Sequence, residues 1–225
     1  MNSIQKKIQQ ARTQQWKQLD LGNAGLIEVP PQVFDLDALE FLVLGSGYYD
    51  RDRNAWVGSE NQGPANQITL IPSEITRLGN LAALSLSSTQ VSDLTPLQGL
   101  TSLVSLSLSG TQVNDLTPLQ GLTSLVSLNL HRTQVSDLTP LQGLTSLASL
   151  NLYRTQVSDL KPLASLTDLQ TLDISRTQVS DLSVLVPLGD FRKRSSYDRM
   201  GILKGFFRNE PPASTHEVQS CACRT

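Results

Sequence analysis

Cysteine is almost missing from this sequence: the only two, Cys221 and Cys223, sit one residue apart near the C-terminal end. They are too close for an ordinary structural disulfide and too few for a structural zinc site, so neither kind of staple holds the fold. Aromatic residues make up 5% of the 225. That is little for a domain gathered around one globular core, and it suits an interior filled repeatedly by one aliphatic residue type. No run of about 18 apolar residues is present to span a bilayer, and the opening MNSIQKKIQQARTQQWKQ has no apolar signal core. A membrane role is therefore not expected, and the chain reads as cytoplasmic. Charge of one sign is missing as well. With 18 Lys plus Arg against 20 Asp plus Glu, the net charge of -2 points neither to a general nucleic-acid binder nor to an acidic solvating tail.

What is there is a repeat. Segments beginning at Leu81, Leu103, Leu125, Leu147 and Leu169 align without gaps at a period of 22, and the second and third match at 18 of 22 positions. Each unit reads LxxLxLxxTxVxDLxPLxxLxx. The alternating LxL marks a short strand, and the later leucines at three-residue spacing mark a tight helical return. One coil cannot bury its leucines alone. Stacking places Leu84, Leu106, Leu128, Leu150 and Leu172 in one row that excludes water, each contributing about 1.5 to 3 kcal/mol before chain entropy is set against it. The strands are then expected to pair as a parallel sheet.

The other repeated letters have scaffold explanations. Asp93, Asp115, Asp137, Asp159 and Asp181 precede the returns, where a carboxylate oxygen can cap free N–H groups, and Pro96, Pro118, Pro140 and Pro162 supply a φ suited to a helical start. Thr89, Thr111, Thr133, Thr155 and Thr177 follow the strands, where a hydroxyl is expected to bond the backbone of a neighbouring coil. The Asp row lacks the further oxygen ligands that calcium takes. No metal, cofactor or small-molecule substrate is expected.

These residues resemble the 22-residue class of leucine-rich repeats found in phosphatase-regulatory and internalin-like proteins, closely so from Leu81 to Asp190. The resemblance implies an α/β leucine-rich-repeat solenoid: a right-handed coil with parallel strands on the concave face, short 3-10 or irregular returns on the convex face, and an N-terminal helical cap. Upstream, WKQLDLGNAGLIEVPPQVFDLDALEFLVLG and ITLIPSEITRLGNLAALSL extend the array. The organisation expected is a capping helix over 1–16, with Ile4, Ile8 and Ala11 at helical spacing, a solenoid of about seven repeats over 17–190, and a cap and tail over 191–225. Residues 45–67 interrupt the second repeat with a Gly, Asn, Asp and Ser-rich insertion, expected to bulge from the surface as a loop. The N-terminal arrangement is similar to the repeat domain of bacterial Roco-type proteins. Their GTPase domain is missing, since no GxxxxGK[ST] phosphate loop occurs.

Candidate contacts follow from the alternation of side chains across a strand. Of the four differences between the two most similar repeats, three are Ser107 to Asn129, Ser109 to His131 and Gly110 to Arg132, all at positions expected to face the concave surface. Early coils offer Ala83, Ser85, Ser87, Ser88, Ser105, Ser107, Ser109 and Gly110, a small and flat surface. Later coils offer Asn129, His131 and Arg132, then Asn151, Tyr153 and Arg154, then Asp173, Ser175 and Arg176. Tyr and Arg often dominate interface energy, and arginine forks suit carboxylates or phosphates. The chain is therefore expected to be a monomer that binds a protein partner through these nine residues, with too little aromatic interleaving for nucleic acid. An enzyme is not expected. Repeated Ser, Thr and Asp single out no active centre, and Cys221 or Cys223 with His216 lacks a rigid setting and an orienting third group. Two other readings stand beside this one: a vestigial array from a truncated Roco-type signalling protein, and a bacterial effector that binds a host protein.

Overall fold

A computed structural model describes residues 2–50, 55–188 and 202–204. The chain opens with a helix, α1 (Ser3–Thr13), started by a reciprocal cap in which the Asn2 side chain accepts from the Gln5 N–H at 2.8 Å and Gln5 Oε1 accepts from the Asn2 N–H at 3.0 Å. Its apolar stripe buries Ile8 and Ala11, with Ile4 partly buried, against the first coil. Ten short strands follow: β1 (Gln18–Asp20), β2 (Phe41–Val43), β3 (Gly47–Asp50), β4 (Ala55–Gly58), β5 (Ala83–Ser85), β6 (Ser105–Ser107), β7 (Ser127–Asn129), β8 (Ser149–Asn151), β9 (Thr171–Asp173) and β10 (Ile202–Lys204).

Seven of them, β1, β2 and β5 to β9, form a continuous parallel ladder. The register follows the repeat, since Leu84, Leu106, Leu128, Leu150 and Leu172 lie opposite one another and are each 1% exposed. The returns are 3-10 turns such as Thr95–Leu97, Thr117–Leu119 and Thr139–Leu141, each carrying its proline and burying its leucine. This is the expected α/β leucine-rich-repeat solenoid with parallel strands and 3-10 returns. At its far end β10 runs antiparallel to β9, pairing Ile202 with Asp173 and Lys204 with Thr171, and so covers the outer edge of that strand. Phe191, Phe206, Phe207, His216, Cys221 and Cys223 lie outside the described residues.

Two expectations about local bonding change in detail. The threonine hydroxyls bond within their own coil, to the strand carbonyl three residues back: Thr133 to Leu130 and Thr155 to Leu152, both at 2.8 Å. The coil-to-coil link falls to the next residue's backbone, as in Gln134 N–H to Val113 O at 3.0 Å. The hydroxyl and the backbone N–H of each threonine both turn back to that one carbonyl, as in Thr133 N–H to Leu130 O at 3.2 Å, so the turn closes within its own coil. The aspartates cap as expected, but from one place earlier than a standard N-cap. Asp93, Asp115 and Asp137 accept from the N–H of Thr95, Thr117 and Thr139 at 2.8 Å, and Asp181 from that of Ser183 at the same distance.

Hydrogen bonds from the threonine hydroxyl and then its backbone N–H hold the carboxyls of Asp93, Asp115 and Asp137 below the ordinary value, and the Ser183 backbone does the same first for Asp181. A carboxyl whose folded pKa is depressed contributes stability above its unfolded pKa and loses it as pH falls through the folded one. The melting temperature is therefore expected to fall below about pH 4. A fourfold Asp93, Asp115, Asp137 and Asp181→Asn variant, which keeps the acceptor oxygen, should show a shallower fall in the same thermal melts. An unchanged slope would assign the acid sensitivity to other groups.

Candidate concave-face binding site

The sequence suggests a surface loop over residues 45–67, and the structure makes the described parts, 45–50 and 55–67, a hairpin and a limb tied to the early coils. β3 and β4 pair as an antiparallel hairpin. Tyr48 packs edge-on against Phe41 of β2, ring centres 4.6 Å apart, and the Ser85 hydroxyl bonds the carbonyl of Gly47. The descending limb is then tied to the first coil. Ser59 Oγ donates to the Asp20 carboxylate at 2.9 and 3.0 Å, the Glu60 N–H donates to Asp20 at 2.8 Å, and Asn61 Nδ2 donates to the Gly22 carbonyl at 2.7 Å. These bonds answer the charge of Asp20, which is 8% exposed. Ser85 and Ser87 are each 1% exposed and Ser107 5%, so three of the eight early-coil residues are withdrawn from the surface, while Ala83, Ser105 and Ser109 are half-buried and Ser88 and Gly110 exposed. The buried hydroxyls are used internally, Ser87 with Ser107 at 2.8 Å.

The nine predicted residues fall together on the three later coils as three parallel rows. Asn129, Asn151 and Asp173 stand opposite one another in the ladder. Each turns an oxygen back to the N–H two residues on, to His131 at 3.0 Å, Tyr153 at 2.9 Å and Ser175 at 2.9 Å. Their acceptor oxygens thus serve the strand ends. The next row is His131, Tyr153 and Ser175. The imidazole meets the Tyr153 ring edge-on, centres 4.9 Å apart and planes at 85°. Burial first, then Arg132 and Arg154, hold the His131 pKa below its ordinary value, with Asp173 opposing.

Arg132, Arg154 and Arg176 form the third row, exposed at the lip. The guanidinium carbons of Arg154 and Arg176 lie 5.4 and 5.7 Å from the Tyr153 ring centre, so one ring orders two cations. All three arginines have left-handed backbone, φ 56°, 55° and 57°. The Arg132 N–H bonds the Tyr153 carbonyl at 2.8 Å and the Arg154 N–H bonds the Ser175 carbonyl at 3.0 Å, and these coil-to-coil bonds impose the turn. Gly110 occupies the same turn one coil earlier, at φ 68°. Glycine is the residue that this backbone favours, and a side chain there costs about 1 kcal/mol. Sequence reasoning found these arginines but not their conformation, for which Gly110 was the one available sign.

Two buried side-chain atoms among the described residues have no hydrogen-bond partner: His131 Nε2 and Ser175 Oγ. Both belong to this patch. Ser175 is 6% exposed. Among the described residues no Arg132, Arg154 or Arg176 ion pair is formed, and no cluster of His, Cys, Asp and Glu suits a metal ion. No helix among them is long and apolar enough to cross a membrane.

Known proteins share this architecture. The family described as Leucine Rich repeats (2 copies) matches residues 101–143 and 145–187. Internalin C2 of Listeria monocytogenes is 31% identical, with 77% of each chain covered and a TM-score of 0.58. The chain belongs to the leucine-rich-repeat family. A second internalin of that species is 28% identical, covering 82% of this chain and 65% of its own, with a TM-score of 0.52. A leucine-rich-repeat protein of Leptospira interrogans, at 20% identity, 84% and 62% coverage and a TM-score of 0.53, shares the fold alone. No curated protein matches the sequence. As a leucine-rich-repeat protein the chain has the scaffold of a protein-interaction module, and its own side chains carry any particular recognition.

Proposed function

We propose that this leucine-rich-repeat protein binds a protein partner through the lip and concave face of its three later coils, using His131, Tyr153, Ser175, Arg132, Arg154 and Arg176, with Asn129, Asn151 and Asp173 beneath them. The observation that carries the reading is the coincidence of the two orphaned buried polar atoms, His131 Nε2 and Ser175 Oγ, in one patch. A buried polar group without a partner costs about 1 to 3 kcal/mol, and a partner's groups would satisfy both. The left-handed turn recurs along the array, at Ser88 (φ 60°) and Gly110 (φ 68°) as at the arginines, so what supports the reading is that three long cations, and not glycine, fill it in the later coils. The hairpin packs on the early coils, and among the described residues the arginines of the later ones are exposed.

The test is a variant with glycine at positions 132, 154 and 176, compared with the parent for partner capture from a native lysate and for thermal stability. Loss of a captured protein without loss of stability supports the reading. Retention of every captured protein overturns it.

A further inference from the structure

We infer that the partner presents a carboxylate-rich, extended segment to the arginine lip, so that recognition is of an acidic peptide. This rests on the binding reading above and names its chemistry. Arg132, Arg154 and Arg176 stand on consecutive coils, spaced by about 4.8 Å per strand, which makes a row about 10 Å long instead of a cluster around one point. A single tetrahedral anion meets one or two such groups. A chain with several carboxylates runs along all three, and the planar guanidinium fork matches a planar carboxylate through two parallel bonds. Tyr153 holds two of the forks in place beforehand, which reduces the entropy lost on binding. By residue type the nine carry three cationic arginines against one carboxylate, Asp173. The patch is thus basic on a chain of net charge -2.

Asp173 supplies a test that leaves the fold alone. Among the described residues its side chain makes one bond, accepting from the Ser175 N–H, and this is the bond that Asn129 and Asn151 make in the preceding coils, so Asp173→Asn keeps the acceptor and removes the charge opposing an acidic ligand. The probes are a fluorescent twelve-residue peptide of mixed Asp and Glu, its Asn and Gln counterpart, and a neutral peptide bearing one phosphoserine, titrated into the full chain by anisotropy at low and physiological salt. The acidic peptide should bind, weaken with salt and exceed the amide peptide by at least tenfold. Arg132→Gln, Arg154→Gln and Arg176→Gln should each weaken it about three- to tenfold, Arg12→Gln on α1 should leave it unchanged, and D173N should tighten it about threefold. Tyr153→Phe should bind like the parent and Tyr153→Leu more weakly. Equal binding of acidic and amide peptides, an unchanged Kd in the arginine variants, looser binding by D173N, or a preference for the phosphopeptide would overturn the inference. Those results would leave the partner-capture comparison standing, so the two failures are distinguishable.

Discussion

Replacing Gly45 with alanine is expected to cost about 4 kcal/mol, at the upper end of what single substitutions do. A Cβ at Gly45 would fall on the backbone nitrogen and oxygen of Ser87, well inside contact distance, and 2.8 Å from the carbonyl carbon of Leu86. These are backbone atoms of the next coil and cannot swing aside. The same strip of coil is pinned by the Gly45 N–H to the Ser85 carbonyl at 3.1 Å and the Ser46 N–H to the Ser87 carbonyl at 2.8 Å. Relieving the overlap means parting coils whose leucines are fully buried, and tightly packed interiors transmit such strain instead of absorbing it. Gly79→Ala and Gly143→Ala are the controls, since a Cβ there meets nothing within 4 Å. In a thermal melt Gly45→Ala should fall by about 10 °C or more while the controls stay within a few degrees. Equal behaviour of all three would show that the coils can separate at that point without penalty.

The second large effect is expected at Asn66. It holds the place in the second coil that threonine holds in the later ones, and it is 4% exposed. Its Oδ1 accepts from the N–H groups of Ala24 at 3.0 Å and Leu26 at 2.8 Å, and its Nδ2 donates to the carbonyls of Leu21 at 2.8 Å and Leu44 at 2.7 Å. One side chain thereby satisfies four backbone groups on two coils and fixes the point where the chain returns from the inserted hairpin. Asn66→Ala leaves all four unpartnered in the interior, at an expected cost of about 3 kcal/mol. Asn66→Thr should be intermediate, because the threonine hydroxyls of the later coils reach only their own coil's carbonyl. Denaturant unfolding of the two variants gives the comparison; an alanine variant as stable as the threonine one would show that water replaces the amide.

The scaffold was legible in the sequence because it repeats. A leucine that recurs every 22 residues over five coils reports its burial without any knowledge of distant contacts, and Leu106, Leu128 and Leu150 lie where that period puts them. The aspartate caps were legible for the same reason, since each bond spans two residues. The insertion was not. It occurs once, and what places it is a contact such as Ser59 to Asp20, between residues 39 apart, which no local pattern announces. Its polar composition suggested a loop, while the alternation in Tyr48 and Val57 on facing strands was the weaker, true signal. The bonding partner of the threonines was misplaced by one coil because period alone does not say whether a hydroxyl turns to its own coil or to the next. At the candidate site the nine residues could be named from the alternation of the strand. The left-handed turn beneath the arginines and the orphaned atoms of His131 and Ser175 needed coordinates.

The central claim is that the later coils keep strained arginines for a partner's sake, and the most direct measurement is a side-by-side comparison of melting temperature and partner capture for the Arg132→Gly, Arg154→Gly, Arg176→Gly variant. Each exchange relieves a left-handed side chain worth about 1 kcal/mol, and those at 154 and 176 forfeit an exposed cation–π contact of at most similar size. The account predicts a melting temperature at or above that of the parent, together with loss of the captured protein. A variant that melts lower and still captures everything the parent does would contradict it, because the arginines would then serve the fold and not a partner.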